Sequence, residues 1–239
     1  SSDVCSSDLN DIFDYWHEHH NIKIPSCNDI DWEPLCVAIK GLPINKQRFY
    51  AKFSSSCIGN RHMMWHRGHI FDPKCLNCVG GTQEKTSHVL RCFNYQAKAN
   101  FLQKIKNDIQ PTLKKSNTND HLARCFATIL ERWRKGLVID SSTFSRAYGL
   151  RKAIDDQSKI GWENFILGRW SKKWQLVQSA YLSASNSKRS PKRWTVAIIR
   201  KMILLCWDVW DFRNELIHGK GGFYARTHKD RKSTRLNSS

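Results

Sequence analysis

Apolar positions recur along most of this chain at helical spacing. In NDIFDYWHEHH, residues 10–20, Ile12, Phe13 and Trp16 share one side of a short helix. Pro25, Pro34 and Pro43 interrupt the next stretch, so irregular backbone is expected over 21–43. INKQRFYAKF, residues 44–53, reads as an amphipathic helix. Val89, Phe93, Ala97, Phe101 and Ile105 return every fourth residue, and Leu102 and Ile109 widen the stripe. That pattern predicts one helix ended by Pro111, then a polar connector over 112–120. Asn119 or Asp120 can cap the next helix, whose inner face is Leu122, Phe126, Ile129, Leu130 and Trp133 and which Gly136 stops. A longer helix is predicted from Ser158 to Tyr181, carrying Trp162, Phe165, Ile166, Trp170, Trp174 and Val177. Ser190-Pro191 is an N-cap followed by a first-turn proline. It opens a last helix with Trp194, Ile198, Met202, Leu205, Val209 and Phe212 on its inner face and Gly219 at its end. Alternation with period two is scarce. The expected fold class is therefore all-α, with one small cysteine-rich knuckle embedded in it. No run approaches the roughly 18 apolar residues of a membrane span, so no membrane partner is expected.

The ends read differently. SSDVCSSDL, residues 1–9, and DRKSTRLNSS, residues 230–239, resemble translated sequencing-library adapters. Such segments are set aside from fold reasoning, and the chain is expected to be a piece of a longer polypeptide. The expected organisation is an irregular or helical segment at 10–49 and a metal-binding module with its adjoining helix at 50–111. A helical domain at 112–222 and a disordered tail at 223–239 complete it.

Charge sharpens the picture. Lys and Arg number 39 against 21 Asp and Glu, a net charge of +18. Residues 10–39 hold six carboxylates and only Lys23 against them, so the excess lies beyond residue 40. An excess of this size repels itself unless an anion neutralises it, which points to nucleic acid, RNA or DNA, as partner.

The segment CLNCVGGTQEKTSHVLRC, residues 75–92, carries the candidate chemistry. Its spacing is Cys75-x2-Cys78-x9-His88-x3-Cys92. Two cysteines two residues apart form a tight turn whose thiolates can reach one ion. His88 and Cys92, four apart, share a helical face. Gly80-Gly81 permits the reversal between the halves. Three thiolates and one imidazole complete a tetrahedron with no open position, the pattern of a structural zinc ion. His66, His69 and Cys57 are further possible ligands, each read more simply as a surface residue. The remaining cysteines, Cys27, Cys36, Cys125 and Cys206, are scattered, which suits a reducing intracellular compartment rather than a disulfide framework.

This segment resembles the zinc-binding region that lies after the polymerase domain in non-LTR retrotransposon reverse transcriptases. Cys75, Cys78, His88 and Cys92 match that family's ligands. Glu84, Lys85 and Thr86 stand at its Glu-Thr, with a lysine inserted. IGWENFILGRWSKKW (160–174) and WDVWDFRNELIHGK (207–220) resemble segments C-terminal to the module in related retroelement proteins. The resemblance implies a nucleic-acid-binding tail joined to the remainder of a parent polyprotein. The family's polymerase carboxylates are absent: no Tyr/Phe-x-Asp-Asp occurs, and Asp155-Asp156 lacks the aromatic. The chain itself is expected to be non-catalytic.

Two basic zones are candidate phosphate contacts. Arg61, Arg67, Lys74, Lys85, Arg91 and Lys98 surround the knuckle. Arg169, Lys172, Lys173, Lys192 and Arg193 lie further on, with Trp170 or Trp194 as possible stacking faces. Trp162, Trp174, Trp207 and Trp210 read instead as core. One competing chemistry remains. RNELIH, residues 213–218, resembles the Arg-Asn-x3-His signature of HEPN ribonucleases, which would make Arg213, Asn214 and His218 catalytic. The alternative is a surface-paired Arg213 and a helix-ending His218. A protein-interaction tail without nucleic-acid affinity is the third reading.

Overall fold

The computed structural model describes residues 28–78 and 80–224, together with Asp14, His17 and Glu18. Apart from those three residues, the helix predicted at 10–20 lies outside the described residues, as do both adapter-like ends. The rest is helical, as expected. In chain order the helices are α1 (Trp32–Lys40), α2 (Ile44–Ser54), α3 (Arg61–His66), α4 (Thr86–Arg91), α5 (Tyr95–Lys104) and α6 (Gln110–Lys115). Next come α7 (Asp120–Arg134), α8 (Leu150–Ile160), α9 (Trp162–Ile166), α10 (Lys173–Ala184) and α11 (Pro191–His218). Among the described residues there is no strand, only isolated bridges from Ile30 to Ser171 and from Lys74 to Gln83.

Helix α11 is the spine. Ser190 Oγ accepts from Arg193 N at 3.3 Å, and Pro191 fills the first turn. Its 28 residues span about 42 Å at 1.5 Å per residue. Trp194, Ile198, Met202, Leu205 and Val209 are buried along it, as the pattern predicts. Helices α1, α2, α4, α5, α6 and α10 all pack on this rod.

Around Phe126 the core is aromatic. Its ring centroid lies 5.2 Å from Phe165, 5.1 Å from Trp170, 5.4 Å from Trp174 and 6.1 Å from Trp194. Each of these buried indole N–H groups has an acceptor, as burial requires. Trp170 donates to Phe165 O (2.9 Å), Trp174 to Gln157 Oε1 (3.0 Å) and Trp194 to Thr118 Oγ1 (2.7 Å). Trp170 and Trp194 are therefore core residues, not stacking faces. Trp162, Trp207 and Trp210 lie against the same core, partly buried.

Several boundaries differ from expectation for local reasons. Residues 32–40 form a helix despite Pro34, because that proline sits in the first turn, where no amide is needed. Pro111 does not end its helix. Residues Ile105–Ile109 widen into a π-turn before it, which accommodates the lost amide and the ring, and the helix runs on to Lys115. The helix predicted from Ser158 breaks at Gly161 (φ 101°) and Gly168 (φ 81°), giving α8, α9 and α10 in its place. Chain segments expected to be separate units share one hydrophobic cluster, which contains Leu35, Phe53, Val89, Phe101, Phe126 and Met202. Among the described residues the module and the helical part are thus one folded body.

Candidate metal centre

The first two donors sit on a short reversal. Cys75 N donates to Thr82 O at 2.9 Å, Lys74 bridges Gln83, and Gly81 turns at φ 67°. Glu84 N then donates to Pro73 O at 2.9 Å, which closes the loop at its base. Helix α4 presents His88. It stops at Arg91, and Cys92 adopts φ −50°, ψ 131°, so the last ligand stands just beyond the helix, not within it.

The four donors converge. Cys78 Sγ is 3.2 Å from Cys92 Sγ and 3.5 Å from His88 Nε2, and Cys75 Sγ is 3.9 Å from Cys92 Sγ. All four ligand atoms lie within 4.8 Å of one another. A tetrahedron with 2.3 Å metal–sulfur bonds has edges of about 3.8 Å, so the donor set fits one metal ion. Cys75, His88 and Cys92 are buried, and Cys75, Cys78 and Cys92 are free thiols. Without a cation, the hydrogen bond from Cys92 and burial push the Cys75 thiol up to about 12, and burial raises Cys78 as well. The metal-free native state thus holds a proton on Cys75 that the unfolded chain releases near 9. Metal-free protein is therefore expected to lose stability as pH rises from about 9 to about 12. Urea midpoints taken across that range check this, and a midpoint flat with pH would count against it.

Neighbouring side chains hold the ligands in place. Arg134, buried on α7, donates from Nη2 to Cys92 O (2.8 Å) and from Nη1 to Leu90 O (3.3 Å). Its guanidinium lies 5.1 Å over the Phe101 ring. Asn60 caps α3 by accepting from Met63 N (2.9 Å) and donates to Thr86 Oγ1 (3.2 Å). Glu84, 1% exposed, is the main tie. It accepts from Arg213 Nε at 3.0 Å, from Arg213 Nη2, and from Arg61 N at 2.9 Å. One carboxylate thus joins the knuckle, the start of α3 and the far end of α11.

That ion pair takes in the arginine of RNELIH. Arg213 is buried, two of its nitrogens are on Glu84, and Nη1 donates to Asn214 Oδ1 at 2.9 Å. The guanidinium also sits 4.9 Å over the Trp210 ring. Nε, Nη1 and Nη2 each donate one of these bonds, and the side chain is buried in the protein, not extended into solvent. His218 is exposed and stacks on Tyr224 at 5.4 Å. The ion-pair partner of Arg213 is thus no neighbour on the surface of its own helix but a buried carboxylate 129 positions earlier.

The expected phosphate contacts divide. Arg67, Lys74, Lys85, Lys98, Lys173 and Arg193 are exposed. Arg91 is half-buried, its guanidinium 5.4 Å over Trp133. Arg61 is committed to the loop, donating to Lys74 O (2.6 Å) and Asp72 O (2.7 Å). Lys172 donates to Asn28 O (2.6 Å) from an exposed position, and Lys192 pairs with Glu33. Arg169 is withdrawn from the surface altogether. It is buried, donating to Asn164 Oδ1 (2.9 Å) and Ser54 O (3.0 Å), and it binds α9 to α2. His66 and His69 stand outside the donor cluster, as does Cys57. His66 lies edge-on to His62 at 4.6 Å. Arg134 and Asn60 carry no sequence signal of a role here, because both act through tertiary contacts with backbone or with one distant side chain.

Fold and site together define an all-α protein with a buried Cys3His cluster able to hold a metal ion, docked on a long central helix. No helix among the described residues is long and apolar enough to cross a membrane. No known family description, curated protein or solved structure matches the chain.

Proposed function

We propose that Cys75, Cys78, His88 and Cys92 hold one structural zinc ion, and that the folded body binds nucleic acid as part of a retroelement reverse-transcriptase polypeptide, without catalysis of its own. The carrying observation is the convergence of three sulfurs and one imidazole nitrogen within 4.8 Å. Soft thiolates in a closed four-donor set favour zinc, and four protein ligands leave no position for an activated water. The ion's contribution is then to fix the loop between Arg61 and Cys92 against α11.

Binding of nucleic acid rests on charge. The net +18 and the exposed Arg67, Lys74, Lys85 and Lys98 around the knuckle favour a polyanion. The Cys-His motif and its resemblance to the retrotransposon zinc region support the same partner class. Against the ribonuclease alternative stands the burial of Arg213 and its pairing with Glu84. Two measurements test the proposal. Elemental analysis of reduced protein is expected to find about one zinc per chain, the content of a closed four-ligand site. Binding to a labelled oligonucleotide is expected to weaken about 50-fold between 50 and 200 mM salt, for about four single-strand phosphate contacts. Metal-free reduced protein, or no affinity at 50 mM salt, would overturn it.

A further inference from the structure

Beside the knuckle, between α4, α5 and α7, lies a cleft of about 260 Å³ that no local pattern in the chain announces. Its rim carries Arg91, Lys98 and Lys135, and Arg134 lies in its wall. Glu131 is the one carboxylate lining it, and Lys135 already pairs with it at 2.6 Å. Phe93 and Leu102 make the apolar part of the lining.

Phe93 is the informative residue. Its place in the four-residue stripe predicts a buried ring, yet it is 74% exposed. The cause is the metal ligand beside it. Cys92 (ψ 131°) and Asn94 (ψ 133°) are both non-helical, so the chain leaves α4 and restarts at α5 with Phe93 turned to solvent between them. A phenylalanine in that position forgoes about 1.5–3 kcal/mol of burial. Its ring lies 6.1 Å from the His88 ring, beside the donor cluster. A solvent-facing aromatic beside several cations and no free carboxylate suits a ligand with both a flat face and negative charge.

We propose that this cleft binds single-stranded nucleic acid, with a base stacked on Phe93 and the flanking phosphates on Arg91 and Lys98. Single strands are favoured because a duplex keeps its base faces stacked on one another, whereas an unpaired base offers its face to an aromatic side chain. The inference rests on the nucleic-acid reading proposed for the folded body and adds the contact residues and the strandedness.

The test uses the full zinc-loaded chain and fluorescence anisotropy at 50 mM salt. The probes are a single-stranded 12-mer, the same strand as a duplex, and the same strand with abasic sites. The single strand is expected to bind more tightly than the duplex. Phe93→Ala is expected to weaken it by about 5- to 150-fold, the range for loss of one stacked base. Phe93→Tyr is expected to restore most of that loss. The abasic strand is expected to bind wild type as weakly as the normal strand binds Phe93→Ala, and to lose little more on that variant, since both changes remove one contact. Circular dichroism and zinc content should match wild type, because the ring is exposed. If wild type binds the single strand but Phe93→Ala does so equally well, or the abasic and duplex probes bind as tightly, the cleft proposal falls and the wider reading stands. If no probe binds wild type, both fall.

Discussion

Removing the proposed zinc is expected to cost more than the knuckle. In isolated zinc-finger peptides the ion contributes on the order of 10 kcal/mol. Here the ligand-bearing helix α4 also places Val89 and Leu90, 3% and 1% exposed, in the shared core. Without the ion, three buried donors remain in a cluster held by sulfur–sulfur and sulfur–imidazole contacts alone. The reversal at 75–84 then loses the restraint that positions Glu84. We expect chelated, reduced protein to melt at a markedly lower temperature, and to become cleavable by protease between Arg61 and Cys92. Cys92→Ser and His88→Ala are expected to reproduce both effects without chelator. A melting curve that is the same before and after verified metal removal would sink this expectation. So would protection of residues 61–92 in the metal-free state.

The second large effect concerns the buried ion pair. Arg213→Met leaves the Glu84 carboxylate buried with only the Arg61 amide, and is expected to cost about 3–5 kcal/mol. Charge removal from both sides should recover most of that loss, because two apolar side chains need no mutual compensation. Recovery in Glu84→Leu/Arg213→Met should fall short by about 1 kcal/mol, the order of the lost hydrogen bond to Arg61 N. Urea denaturation of the two single variants and the double variant measures this directly. A cost under about 1 kcal/mol for Arg213→Met would mean that the pair is far better hydrated than its burial indicates.

Helices with long apolar stripes were legible from the chain alone. The inner face of α7 and that of α11 needed only a period near 3.6 and a cap, and Asn119 and Ser190 both supply the cap. The four metal donors were legible too, because a Cys-x2-Cys turn and a His-x3-Cys pair are local spacings. Failures occurred where a local rule met a tertiary constraint. Pro111 ends a helix only if the backbone cannot widen, and here a π-turn lets it. Phe93 fits the stripe of α5, but the chain must kink at Cys92 to deliver a ligand. Arg169 and Arg213 read as surface cations, because nothing near them in the chain announces Ser54 O or Glu84.

The order of residues alone therefore settled the all-α class, the inner faces of α7 and α11 and which four side chains can reach one ion, since these depend on neighbours within a few turns of backbone. Packing decided the rest: that the cysteine module shares its interior with the long helix, that two arginines serve as internal ties, and that one phenylalanine faces water. The arginine ties depend on groups more than a hundred positions apart, such as Glu84 and Arg213. Periodicity carries no information across such a separation, whereas burying an unpaired charge is costly enough to bring these two groups together.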